Sequence, residues 1–106
     1  GTFTENVGID IQVSNGTKVQ SVLDGMVSTI TYIRGHGNII IIDHGGGFST
    51  VYAHVDKISV NENEYLQMGN PIASVAVPDN GISARLHFEV WGNQKKLNPE
   101  KWLALR

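Results

Sequence analysis

Four histidines, His36, His44, His54 and His87, together with Asp10, are the side chains here best suited to chemistry near neutral pH. Imidazole changes charge in that range and is a common metal ligand, and a carboxylate beside it supplies the negative charge that a divalent cation needs. The set matches no compact motif: there is no His-Glu-x-x-His pair and no Gly-x-Ser-x-Gly elbow. The glycines at 45–47 lead into a strand-like segment, whereas a phosphate cradle opens a helix. With no Cys, thiolate nucleophiles, disulfides and Cys-based zinc sites are excluded, and the redox compartment stays open. Spacing alone also leaves the alternative that each His is a structural hydrogen-bonding residue at a strand end or Gly turn.

The elements that must position these groups read as strands. Val and Ile number 22 against 11 for Leu plus Ala, and twelve Gly supply tight turns, so an all-β domain is expected. Val7 to Val13 alternates apolar and polar residues and sets Asp10 away from the core. Lys18 to Leu23 and Met26 to Ile33 read as two strands joined into a hairpin at Asp24-Gly25, and 34–38 reads as a loop. Ile39 to Ile42 predicts a central strand covered on both faces. Phe48 to Ala53 returns with Phe48, Thr50 and Tyr52 on one face and His54 at its end. The stretch 58–75 suggests short strands with Pro71 at an edge or a strand start, and 77–83 a loop. In Ala84 to Trp91, Leu86, Phe88 and Val90 alternate with Arg85, His87 and Glu89, so Arg85 and His87 share a face. Asn98-Pro99 predicts an N-cap and one short C-terminal helical turn.

The 106 residues fit one domain, 1–106. No apolar run approaches the roughly 18 residues of a membrane-spanning helix. Eight basic against ten acidic residues argue against nucleic acid as a partner. The start at Gly1, with neither Met nor a signal segment, reads as an excised or processed piece of a longer protein.

Five fragments occur in a telling order: Gly8-Ile9-Asp10-Ile11, Ile42-Asp43-His44-Gly45, Thr50-Val51-Tyr52-Ala53-His54, Leu86-His87-Phe88-Glu89-Val90 and Leu97-Asn98-Pro99. Together they resemble the LytM/lysostaphin-type zinc peptidase domain over nearly the whole chain. The resemblance implies two antiparallel sheets in a β-sandwich, or barrel-sandwich hybrid. It implies zinc held by His-x-x-x-Asp and by the last His of His-x-His, with the His of Tyr-Ala-His and the first His of His-x-His assisting catalysis. On that pattern Asp10 and His87 match two ligands and His54 matches a catalytic His.

Two positions depart. Asn6 stands where the family has its first ligand His, and Arg85 where it has the first His of His-x-His. A neutral amide oxygen replaces imidazole poorly, and a fixed guanidinium repels a dication and cannot accept a proton. The expectation is a metal-free cleft in which Arg85 pairs with Asp10, leaving His54 and Arg85 as relics of the catalytic pair. Rescue by Glu5, His36 or His44 is the less favoured alternative.

Such a domain most resembles the degenerate branch typified by the EnvC and NlpD division factors. That resemblance implies a catalytically inactive activator of cell-wall amidases in the periplasm of a diderm bacterium. The partner would be an N-acetylmuramoyl-L-alanine amidase whose amphipathic helix enters a groove bounded by loops 34–38 and 78–83. Tyr32, Tyr52, His54, Arg85 and Trp91 are the expected contacts. The rival readings are a zinc endopeptidase with an unusual ligand set, a passive peptidoglycan-binding module and, remotely, a lipoyl-like carrier suggested by Asp56-Lys57-Ile58.

Overall fold

The computed structural model describes residues 9–77, 84–92 and 95–97, the last three by backbone alone. Among them the fold is all-β, with nine strands and no helix: β1 Ile9–Val13, β2 Lys18–Gln20, β3 Gly25–Ile33, β4 Gly37–Gly45, β5 Phe48–Asp56, β6 Tyr65–Leu66, β7 Pro71–Val75, β8 Ala84–Gly92 and β9 Lys95–Leu97. The expected C-terminal helical turn, the loop 78–83, Glu5 and Asn6 lie outside the described residues.

All pairings are antiparallel, and the main sheet runs β1-β8-β5-β4-β3-β6. The two layers expected from the resemblance are joined into one hydrogen-bonded sheet. β5 pairs β4 and β8 along its length, and its last residues, Val55 and Asp56, turn to pair Val75 and Ser74 of β7, which carries β2. The β2–β7 ribbon thereby folds across the inner face and closes the core.

This connection also corrects the expected β2–β3 hairpin. β2 pairs β7, while β3 pairs β4 and β6. The reason lies at Gly25, where an added Cβ would stand 2.7 Å from Asp43 O and 2.8 Å from His44 Nδ1. The chain bends there to bring its backbone against β4, so Asp24-Gly25 ends one ribbon and begins another instead of folding β3 back on β2.

The core is built by the alternating residues that face the ribbon: Val27 of β3, Ile40 and Ile42 of β4, Tyr52 of β5, and Phe88 and Val90 of β8, closed by Val19, Leu66, Ile72 and Val75. Tyr52 and Phe88 pack with ring centroids 5.4 Å apart. β4 is central and largely covered on both faces, as expected: Ile39 is buried on the outer side, and Ile41 beside it is half-buried in the floor of a groove. Pro71 begins β7, where its missing N–H costs no central ladder bond.

Candidate functional site

Strand register fixes which side chains meet on the outer face. Asp10 lies opposite His87, His87 opposite Ala53, Ala53 opposite Ile39 and Ile39 opposite Thr31, a row crossing five strands. The next row runs Thr29, Ile41, Val51, Glu89. A third runs Tyr65, Met26, Asp43, Ser49, Trp91. The rows floor a groove of about 470 Å³ lined by Ile33, Ile39, Ile41, Val51, Ala53 and Trp91, with Thr31, His36, Ser49, His87 and Glu89 as its polar members. A concave apolar floor with few polar groups is the usual form of a binding site.

His54 reaches this end of the groove through a backbone irregularity. Strict alternation would send it coreward with Thr50 and Tyr52. The β4–β5 register slips between Asn38/Val55 and Ile39/Ala53, leaving His54 as an extra residue with φ +65°. The bulge restores Val55 to the core and turns His54 outward. Its backbone N–H donates to the carbonyl of His36 at 3.0 Å, which ties the 34–36 turn to the site. The His36 and His54 rings lie parallel at 6.3 Å, and His87 stands edge-on to both at 6.2 and 6.3 Å. A non-glycine residue in the left-handed region costs of the order of 1 kcal/mol, and such strain concentrates where geometry serves function.

His87 is the best-tethered group. Its Nδ1 lies 2.7 Å from Asp10 Oδ1 and its Nε2 2.8 Å from Glu89 Oε2, while Trp91 Nε1 donates to Glu89 Oε1 at 2.8 Å. Carboxylates only accept, so both ring nitrogens donate together only as the imidazolium. Burial lowers the His87 pKa, but the bonds from Asp10 and Glu89 outweigh it and the net shift is upward. His54 moves the other way, lowered first by burial and then by the neighbouring His87 charge.

The described residues supply two of the roughly three protein ligands that a zinc site needs: Asp10 and His87 lie together, Glu89 takes the other His87 nitrogen, and among the described residues no group of three His, Asp or Glu is placed to hold a metal ion. The expected Arg85–Asp10 pair is not formed. Arg85 stands opposite Gln12, one row along, and among the described residues the ion pairs of Asp10 and Glu89 go to His87.

The expected groove contacts divide. Trp91 lines the groove, His54 stands behind the lining residues His36 and His87 with its ring against theirs, and Arg85 is exposed at the groove's end on the same face. Tyr52 is not a groove contact: it is 1% exposed in the core, and its hydroxyl accepts from Val22 N. Tyr32 is exposed but alternates with the groove-lining Thr31 and Ile33, so its side chain leaves the opposite face of β3. Sequence reasoning had the right face for Arg85 and His87 but missed Glu89 as the second partner of His87, although positions 87, 89 and 91 share one phase of the strand. His36, a candidate by residue type to which the resemblance gave only a rescuing role, is a standing member of the site.

The family pattern of peptidase family M23 matches residues 4–99, nearly the whole chain. The chain belongs to that family. It is 37% identical over 102 residues to the murein hydrolase activator NlpD of Escherichia coli, covering 95% of this chain and 27% of that protein. It is 29% identical over 97 residues to the murein hydrolase activator EnvC of the same organism, covering 92% of this chain and 23% of EnvC. This M23 domain thus spans about a quarter of the length of the curated relatives it matches. Its fold matches the catalytic domain of lysostaphin from Staphylococcus simulans with a TM-score of 0.79 and 22% identity, covering 92% of this chain and 77% of that one.

Proposed function

We propose that this M23 domain is a catalytically silent activator module: its groove docks a cell-wall amidase and switches it on in the bacterial envelope, without a metal. The observation that carries this reading is the donor set around His87. Asp10 and Glu89 meet its ring with no third metal-holding group among the described residues, and Arg85, where the resemblance has the first His of His-x-His, accepts no proton from an attacking water. What persists is an apolar groove with polar ends, the form that receives an amphipathic helix. Its likeness to NlpD and EnvC, both named as murein hydrolase activators, supports an N-acetylmuramoyl-L-alanine amidase as the partner and murein as the setting.

The test pairs two measurements. A cognate amidase releases dye from labelled sacculi, and addition of the domain is expected to raise that release several-fold while the domain alone releases none. After zinc loading and desalting at neutral pH, elemental mass spectrometry is expected to find well under one zinc per chain. One zinc per chain with chelator-sensitive cleavage by the domain alone would return the zinc endopeptidase. Retention on bare sacculi with no amidase stimulation would leave a passive peptidoglycan-binding module.

A further inference from the structure

The groove does not end at its deep part. Row register continues the same face to β3 and the two-residue edge strand β6, where Met26 and Tyr65 stand directly opposite each other, 44% and 64% exposed. Neither has a place in the core, and side chains of this size left open at the mouth of an apolar groove extend its contact area. The charges at the two ends differ. At the β6–β3–β4 corner, Asp43 follows Met26 in the row, and Glu62 lies along the open edge of β3 with its carboxylate accepting from Ile30 N at 2.8 Å. At the other end Arg34 is exposed in the 34–36 turn and Arg85 is exposed on β8; of the described carboxylates there, Asp10 is held by His87 and Asp56, closing β5, accepts from Lys57 N.

We infer that the groove takes its partner helix in one direction, with a basic end over Met26, Tyr65 and Asp43, an apolar stripe over Ile41, Val51 and Ala53, and an acidic end against Arg34 and Arg85. This rests on the docking role proposed above and adds the partner's charge pattern and polarity. Charge complementarity at an interface rim sets orientation and excludes misregistered binding even where each pair adds little affinity. The diagonal from the β6 corner to Arg85 crosses four strand spacings of about 4.8 Å and several residues of strand length, roughly 27 Å. A helix of about 18 residues spans it.

The probe is a synthetic helix of that length with Leu along one face, two Glu at its N-terminus and two Lys at its C-terminus, carrying a nitroxide at either end in separate samples. Amide spectra of the domain are expected to broaden near Met26, Tyr65 and Asp43 when the label is at the Lys end, and near His36, His54 and Arg85 when it is at the Glu end. A second peptide with the charges exchanged between its termini is expected to bind reversed. Arg85→Glu, at an exposed position, is expected to weaken binding of the first peptide roughly three- to tenfold at low salt, with a smaller effect as salt rises. Asp43→Asn keeps the acceptor that holds Gly45 N and tests the acidic corner alone. Binding with both ends equally represented at both corners, or unaffected by Arg85→Glu at low salt, overturns the polarity and leaves the docking role standing. Binding of neither peptide overturns both.

Discussion

Two histidines sit at register shifts on neighbouring strands and are put to opposite use. The β4–β5 register slips past His44 as it does past His54. His44 lies on the core side and is fully spoken for: its Nδ1 is 2.7 Å from Asp24 O and its Nε2 2.7 Å from Thr50 Oγ1, and Thr50 lies 2.9 Å from the Tyr52 hydroxyl, which accepts from Val22 N. A carbonyl only accepts, so Nδ1 carries the proton. The network joins β4 and β5 to the bend at 22–25 and needs nothing from outside. His54 stands beside the groove, against His36 and His87, with a strained backbone, and among the described residues neither its ring nor that of His36 hydrogen-bonds another side chain. A completed network is a stability device. Strain without internal satisfaction is what a binding surface retains.

The sharpest break of this comparison is at the completed network. His44→Ala removes two bonds, and it leaves the fully buried Thr50 hydroxyl with one partner fewer and a void beside it. A loss of about 2–4 kcal/mol is expected in denaturant unfolding, with a Tm lowered by more than ten degrees. Tyr52→Phe is the milder version: it strands Val22 N and costs about 1–3 kcal/mol, while peptide docking in the folded fraction is unchanged. Loss of docking in a folded Tyr52→Phe variant would put this network in the groove after all.

The His87 clasp comes next. Asp10→Asn keeps the shape but removes one charge from the imidazolium, and Asp10 is half-exposed, so a loss of about 1 kcal/mol near pH 6 is expected. The pH dependence has a definite sign. His87 has a raised folded pKa, so its contribution is fully present below its ordinary value of 6.5 and is lost as pH rises from there through the folded pKa. His54 has a lowered folded pKa, so its contribution is present above 6.5 and is lost as pH falls through the folded value. Imidazole proton titration by NMR is expected to place His87 above 6.5 and His54 below it, with His87 moving down in Asp10→Asn. The reverse order would mean that His87 is not held between carboxylates in solution.

How much of this was legible beforehand follows from what each pattern encodes. Period-two alternation in β8 placed Arg85 and His87 on one face, and the motif order brought Asp10 to His87, because both depend on local phase and on a shared fold. Alternation does not say which of two faces is the core, which is why Tyr52 read as a groove contact when its face carries Thr50 into the interior. The β2–β3 hairpin was misread because Asp24-Gly25 is a turn signal of the same strength wherever the chain next pairs, and only the close approach of Gly25 to His44 shows that β4 claims it. The turned-out His54 had no signal at all: left-handed backbone is flagged by Gly or Asn, and nothing in Ala53-His54-Val55 marks it.

That unmarked position supplies the smallest and most discriminating effect. If the bulge is kept for what His54 presents to the groove, removing the side chain should cost function while sparing the fold. His54→Gly is released from the left-handed penalty but gains freedom in the unfolded chain, and the two nearly cancel, so a stability change within about 0.5 kcal/mol is expected. His54→Ala keeps the penalty and loses the ring contacts, and should be the less stable of the two by about 1 kcal/mol. Both are expected to weaken docking of the amphipathic peptide alike, since both lack the imidazole. A His54→Gly variant that docks as well as the parent would make the bulge a means of returning Val55 to the core and nothing more, and the groove would then begin at His36 and His87.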